Sequence, residues 1–310
     1  MNNYFSQILD IIKKQNPIHY KRLNKMLSEQ DSEFTIRAEK FFTQYVNYLN
    51  KNGKTLNYAV DCYLKMLADI AYEHIKFLES GKYSSSSFNE VLQRVYSNPQ
   101  VMEYYMHGLL LSQFLWEQHY QILKFFTKGI LQRKKQINRY LEIGAGHGLY
   151  ISEAINLLNK DTLFDLVDIS ETSLNMSKEF IDEKERVNFY KEDIYQYNKL
   201  SYYNFITMGE VLEHVEKPLE LLLKVNSLLC EGGEAFITTP TNAPAIDHIT
   251  LFSNVQEIRD LMKKAKLEIT EEVVLPSEKV TEEVANELKI TILYGAFVKK
   301  NLRKWNEMKF

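Results

Sequence analysis

The run Tyr140-Leu-Glu-Ile-Gly-Ala-Gly-His-Gly148 decides the fold. It opens as an apolar β-type segment with an acidic residue near its end. It then passes through glycines 144, 146 and 148 and gives way to a helical pattern. Glycine is needed where a chain turns sharply and its backbone must approach a ligand closely. A dinucleotide clamp would place its third glycine at 149, where this chain has Leu149, which argues against an NAD-type pyrophosphate site.

Downstream of Asn138, β-type runs alternate with helical ones. Arg139–Ile143 precedes Tyr150–Leu158, Leu163–Asp168 precedes Ser173–Phe180, and Val187–Tyr190 follows. Next come Phe205–Met208 with Leu219–Leu229, then Glu234–Thr239 with Val255–Lys264. This alternation predicts an α/β domain, a mostly parallel sheet with helices on both faces. Two further β-type runs, Leu267–Leu275 and Ile290–Val298, are separated by the charged stretch Ser277–Glu287, which has room for only a short helix.

Acidic residues recur where these strands end. Asp168 lies 22 residues after Gly146, in Val-Asp-Ile-Ser, and a carboxylate there can accept from both hydroxyls of a ribose. Asp193, in Lys-Glu-Asp-Ile, could accept from an adenine amine, with Ile169 and Ile194 packing on the base. Alone, each acid reads as an ordinary surface carboxylate; their order behind a glycine loop is what carries the signal.

Upstream, residues 1 to about 137 hold only four glycines and two prolines, and apolar residues recur at helical spacing, as in Phe41, Tyr45, Tyr48 and Leu49. Gly53 and Gly81 read as helix stops, Ser84–Ser87 as a loop, and Asn98-Pro99 as a helix start. The helix predicted over Gln100–Gln118 is apolar nearly all round. The chain therefore divides into a helical N-terminal cap or substrate domain, 1–137, and a catalytic domain, 138–310.

Bulk properties narrow the function. A net charge of −3 and a pI near 6.2 give no strong grip on nucleic acid or anionic membrane. No stretch approaches the roughly 20 apolar residues of a membrane span, and Met1 to Asp10 shows no signal-peptide pattern. Cys62 and Cys230 match no metal or redox spacing and read as reduced core residues. A cytoplasmic protein is expected.

Leu141-Glu-Ile-Gly-Ala-Gly-His-Gly, Val167-Asp-Ile-Ser, Glu192-Asp-Ile and Gly209-Glu-Val-Leu-Glu-His-Val215 resemble the class I S-adenosylmethionine (SAM)-dependent methyltransferases. Within them the likeness is greatest to the broad group containing the ubiquinone-biosynthesis O-methyltransferases and many natural-product enzymes. The resemblance covers about residues 138 to 300. It implies a Rossmann-like, doubly wound sheet of seven strands in the order 3-2-1-4-5-7-6, with the last strand antiparallel. It also implies SAM held at the methionine part by Glu142 and the glycine loop (Gly144, Ala145, Gly146), with Gly209 also against the cofactor. Asp168 would hold the ribose, and Asp193 with Ile194 the adenine, on which Ile169 also packs. Asn204 departs from the Asp usual before the fourth strand, a minor difference.

Methyl transfer from a sulfonium needs alignment, exclusion of water and often removal of a proton from the acceptor, but no enzyme nucleophile. Glu210, Glu213 and His214 are spaced i, i+3, i+4, so a helix opening after strand 4 would put them on one face. Asp247 and His248 follow strand 5, a neighbour of strand 4. Glu210, Glu213, His214 and His248 offer an oxygen-and-nitrogen divalent metal site, similar to that of small-RNA 2′-O-methyltransferases. Without metal, His248 is a candidate base or substrate contact, and Glu210 a catalytic candidate or a direct contact to a cationic or hydroxylated substrate. His147 reads as incidental. Of Tyr104 and Tyr105, which cannot share a core face, one should reach the substrate, beside Asp247. The expected partner is a small molecule, with nucleic acid and membrane disfavoured; the helical domain is also a place for a homodimer. Other readings are an RNA or protein methyltransferase, a SAM enzyme that transfers the aminocarboxypropyl group or cyclises SAM, and a SAM-binding partner subunit.

Overall fold

The computed structural model describes residues 3–301; residues 1–2 and 302–310, the outer ends of the two ranges proposed above, lie outside the described residues. Helices come first: α1 (Tyr4–Gln15), α2 (Pro17–Leu27), α3 (Ser32–Lys51), α4 (Leu56–Ser80), α5 (Phe88–Val91), α6 (Pro99–Leu115) and α7 (Glu117–Arg133). Side chains that accept the unpaired N–H groups of the first turn set their starts: Asn16, Asp31, Thr55 and Asn98. Gly81 closes α4 in the left-handed region at φ +69°. A π turn, Leu92–Tyr96, follows α5, a wide turn that frequently marks functional ground.

The single helix expected over 100–118 is two. Trp116 is extended (φ −119°, ψ 129°) and breaks the run. Its indole N–H donates to the Tyr63 hydroxyl of α4 at 2.9 Å. That tertiary bond overrides the local preference for continuous helix. Cys62 is buried as expected, but Cys230 is only half-buried.

Strands and helices then alternate: β1 (Arg139–Ile143), α8 (Leu149–Leu157), β2 (Leu163–Asp168), α9 (Glu171–Phe180), β3 (Val187–Lys191), β4 (Tyr203–Gly209), α10 (Pro218–Leu228) and β5 (Leu229–Thr241). They continue as α11 (Val255–Lys264), β6 (Leu267–Pro276), α12 (Glu282–Glu287) and β7 (Ile292–Lys300). The sheet order is β3-β2-β1-β4-β5-β7-β6. The last strand in sequence, β7, is antiparallel to β5 and β6. β5 starts earlier than its apolar pattern suggests because the β4–β5 register shifts, from Tyr203 opposite Leu229 to Phe205 opposite Glu234. Asn204 sits at the amino end of the sheet, where its side-chain oxygen accepts from the N–H groups of Asn138 and Arg139. Its departure from Asp therefore lies away from the strands' carboxyl ends.

Strand side chains alternate faces, and here the two faces differ in kind. Tyr140, Phe164, Phe205, Phe236 and Phe297 point to one side, and Leu141, Val167, Ile206, Ile237 and Val298 to the other. The aliphatic side is covered by α10 and α11. The aromatic side meets the N-terminal helices, so one apolar core runs from α1, α3 and α4 through α6 and α7 into the sheet. Phe126 packs on Phe236 with centroids 5.1 Å apart, and Phe125 on Phe297 at 5.1 Å. Such pairs each add about 0.5–1.5 kcal/mol beyond area burial. Arg133 ends α7 over the Phe297 ring and pairs with Glu234 at 2.6 Å and Glu271 at 2.7 Å.

Gly129 permits this approach, since a Cβ there would stand 2.0 Å from Phe297 Cζ. Gly129→Ala is expected to destabilise the protein by about 1–3 kcal/mol, the usual effect of overpacking. A urea midpoint equal to wild type would show that α7 does not lie on β7 as described.

Candidate functional site

A cavity of about 1400 Å³ opens at the carboxyl ends of the strands, larger than the roughly 300–1,000 Å³ of ordinary ligand pockets. Its floor is the β1–α8 turn. Gly144, Gly146 and Gly148 adopt φ of +66°, +54° and +77°, values that a side chain strains. Gly148 also has no room, because a Cβ would lie 3.0 Å from the Ser177 backbone. The turn is tied in place by Asp168. One carboxylate oxygen accepts from Gly146 N–H at 3.2 Å and the other from Ser170 N–H at 2.8 Å. Ser177 Oγ donates to Gly146 O at 3.1 Å.

Every residue assigned to the cofactor from sequence lines this cavity: Glu142, Gly144, Ala145, Gly146, Asp168, Ile169, Asp193, Ile194 and Gly209. Burial pushes Asp168 up to about 6, opposed by its backbone hydrogen bonds. Glu142, 2 % exposed, is raised well above the usual carboxylate range by burial, although the Tyr140 hydroxyl 3.0 Å away counters this. Asp193 lies just beyond β3, half-buried, and accepts from Tyr195 N–H.

The region after β4 corrects one expectation. No α-helix opens there. Glu210 takes φ +54°, and only a short 3-10 turn, Leu212–His214, precedes α10. Thr238 causes this: its backbone oxygen and hydroxyl both accept the Glu210 N–H, and its hydroxyl donates to Glu210 Oε1 at 2.7 Å. Glu210 is thereby turned to β5, and it is not part of the cluster in which ligand atoms of Glu213, His214 and His248 lie within 4.8 Å of one another. The fourfold metal set is thus reduced to three by the geometry. Burial raises Glu210 to about 7, and raises Glu213 well above its usual range, with the Glu210 charge adding to the latter.

Within the cluster Glu213 is fully buried; Oε2 accepts from the Thr239 hydroxyl at 2.8 Å, while Oε1 has no hydrogen-bond partner and lies 3.8 Å from His214 Nε2. His214 Nδ1 lies 3.0 Å from Asp247 O, and His248 Nδ1 lies 2.5 Å from Ala243 O. Carbonyls only accept, so both rings carry their proton on Nδ1 and turn a lone pair on Nε2 outward. Burial, with the neighbouring His214, lowers His248 to about 4. Asp247 is 3 % exposed; its Oδ2 accepts from the Tyr96 hydroxyl at 3.4 Å. Tyr105 lines the cavity, whereas Tyr104 does not reach it: its hydroxyl donates to Asp69 of α4 at 2.6 Å, and Lys65 stands over its ring. Tyr96, which lines the cavity, Tyr83, which packs on His248, and Tyr150, also in the lining, were missed by the sequence reading. They come from the π turn, the serine loop and α8, and no local pattern marks them. At the far rim Lys279 and Glu29 form an ion pair across the mouth. Among the described residues no helix is long and apolar enough to cross a membrane.

Comparison with known proteins agrees with this architecture. Residues 115–272 match the family model described as a methyltransferase domain. A malonyl-[acyl-carrier protein] O-methyltransferase of Ilyobacter polytropus is 31% identical over 117 residues, 38% of this chain and 42% of that protein. A ubiquinone biosynthesis O-methyltransferase of Coxiella burnetii is 29% identical over 119 residues, 38% of this chain and 48% of that one. The matches thus span less than half the length of these curated relatives. The N-methyltransferase NodS of Bradyrhizobium japonicum, solved with S-adenosyl-L-homocysteine, superimposes with a TM-score of 0.50 at 12% identity, covering 69% of this chain and 99% of that one.

Gly148→Ala tests the floor of the cavity. Positive φ and contact with Ser177 should together lower stability by about 1–2 kcal/mol or more, read as a lower melting temperature. Unchanged melting would place the loop in another conformation.

Proposed function

The chain belongs to the methyltransferase-domain family, as a class I SAM-dependent methyltransferase by fold and motif, and on that premise we propose that it methylates a small, enclosed acceptor at oxygen or nitrogen. The observation that carries this reading is one cavity holding both the Asp168-tied glycine loop and the neutral His248.

In this reading Asp168 accepts from the ribose hydroxyls, Asp193 with Ile194 and Ile169 receives the adenine, and Glu142 with the loop takes the methionine part. Residues 138–310 form the catalytic part, and residues 1–137 the cap that shuts water away from the sulfonium. The acceptor lies against Tyr105, Asp247, Glu210 and His248. Methyl transfer breaks the sulfonium S–CH₃ bond as the acceptor–CH₃ bond forms, and the acceptor's proton passes to His248 Nε2. The depressed pKa of His248 keeps its lone pair available at neutral pH. Both curated relatives are O-methyltransferases, which supports an oxygen acceptor.

A second reading adds a divalent cation on Glu213, His214 and His248. The partnerless Glu213 Oε1 and the two outward Nε2 lone pairs favour it. Bound there, the ion would lower the pKa of a hydroxyl acceptor.

Two experiments test these roles. S-adenosylhomocysteine affinity, by calorimetry, should rise with pH through about 6 as Asp168 ionises and becomes a pure acceptor. Asp168→Ala should weaken binding by about 10-fold or more at neutral pH and abolish that pH dependence; unchanged affinity would refute the assignment. His248→Ala should retain cofactor affinity and lose turnover by about 10²-fold or more. Wild type dialysed against chelator should keep its activity; activity lost and restored by Mg²⁺ or Mn²⁺ would transfer the role of His248 to the cation reading. Release of methylthioadenosine instead of S-adenosylhomocysteine would overturn methyl transfer itself.

A further inference from the structure

Buried acids in this protein are of two kinds. Outside the cavity the chain neutralises them itself. Asp165, 4 % exposed, receives Lys199 Nζ at 2.7 Å, Asn188 Nδ2 at 2.9 Å and the Tyr197 hydroxyl at 3.1 Å. Glu73, as deeply buried, takes Lys76 Nζ at 3.0 Å and the Ser84 hydroxyl.

Asp247, in the cavity wall, is left uncompensated. Among the described residues no Lys or Arg forms an ion pair with it. Its Oδ2 meets the Tyr96 hydroxyl at 3.4 Å and His214 Nδ1 at 3.5 Å, but neither reaches Oδ1, which is buried without a hydrogen-bond partner. A buried carboxylate with no cation beside it is costly, and here that cost stands. The cavity as a whole has the same bias. Its lining carries twelve acids against four Lys and Arg, whereas the chain holds 41 and 38. Of those four bases, Lys217 is spent on Glu220 and Lys279 on Glu29, and Arg22 and Lys25 belong to α2. An acceptor bearing a carboxylate or phosphate would be repelled by such a wall, and a protonated amine would supply the partner that Asp247 lacks. The Tyr96 ring adds a face that attracts an ammonium.

We propose that the acceptor carries a protonated amine in addition to the hydroxyl it offers to the methyl group, and that Asp247 Oδ1 receives this ammonium while the hydroxyl turns to His248 Nε2. This rests on the acceptor lying beside His248. The two residues are consecutive, and His214 spans them: its Nδ1 is 3.5 Å from Asp247 Oδ2 and its ring centroid 4.8 Å from that of His248. The favoured class is thus an amino alcohol or an amine-bearing phenol. An amine held as ammonium has no lone pair with which to attack the sulfonium. Asp247 therefore directs the methyl to oxygen: the S–CH₃ bond breaks, the O–CH₃ bond forms, the hydroxyl proton passes to His248, and the ammonium keeps its own protons.

Three phenols of one shape test this: tyramine, 4-ethylphenol and 3-(4-hydroxyphenyl)propionate, which are cationic, neutral and anionic at neutral pH. Each is titrated by calorimetry into the full chain saturated with S-adenosylhomocysteine, with chelator present so that no metal ion stands in for the amine. Tyramine should bind about 10-fold more tightly than 4-ethylphenol or better, and the propionate more weakly than either. Asp247→Asn should abolish the advantage of tyramine and bind S-adenosylhomocysteine as wild type does, which also reports an intact fold. Tyramine binding no better than 4-ethylphenol, or not at all, would overturn the seat, as would a preference that survives Asp247→Asn. Weakened S-adenosylhomocysteine binding in that variant would give the carboxylate to the cofactor and overturn it too. A wild type that binds no S-adenosylhomocysteine would instead sink the SAM reading. Full turnover in His248→Ala would sink the role of that base and leave the ammonium seat standing, so the failures are distinct.

Discussion

The carboxylate of Asp168 holds the ligand end of the molecule together. One oxygen fixes the glycine turn leaving β1, and the other fixes the chain leaving β2, where Ser170 caps α9. Three alternate residues at positive φ, Gly144, Gly146 and Gly148, are locally unfavourable for any chain that could do otherwise. They persist because Asp168, Ser177 and the Gly144 N–H bond to Val167 O over-determine the turn. The same buried carboxylate is forced toward neutrality, so the interaction that shapes the loop also prepares a group that gains from meeting hydroxyl donors.

Around this point the buried acids have a common electrostatic sense. Glu142, Asp168, Glu210 and Glu213 are all pushed upward by burial, while His147 and His248 are held neutral. Uncompensated buried carboxylates are expensive and concentrate at functional sites. A wall of this kind favours a cation over a neutral molecule. It would hold a sulfonium more firmly than the thioether left once the methyl group has gone.

Much of this was legible from sequence, and the rest was not for identifiable reasons. The strands were readable because buried parallel strands are short apolar runs bounded by turn residues. The residues expected at the cofactor fall together in one cavity because they sit at fixed places on those strands. Glu210 was misread because i, i+3, i+4 spacing implies one face only inside a helix, and Thr238, 28 residues away in sequence, bends the chain instead. Trp116 was misread for a similar reason, its partner Tyr63 lying 53 positions back. Tyr104 and Tyr105 were rightly expected to diverge, but which one faces inward depends on Asp69.

The continuous core between helices and sheet restricts how ligands enter and leave. Lifting α7 would bare Ile122, Phe125, Phe126 and the aromatic face beneath them, a large apolar surface to hydrate. The segment from Tyr83 to Tyr96 is fastened differently. Val91 and Val95 anchor it in the same core, and Tyr83 and Tyr96 set their rings against His248 and His214. Its further ties to the loops beyond β4 and β5 are polar: Arg94 to Ile246 O, the Ala243 N–H to the Tyr83 hydroxyl, and the Phe88 N–H to Glu216. Water can replace each of these bonds almost evenly. Of the two coverings, the one held partly by exchangeable bonds is the cheaper to part for a ligand to pass.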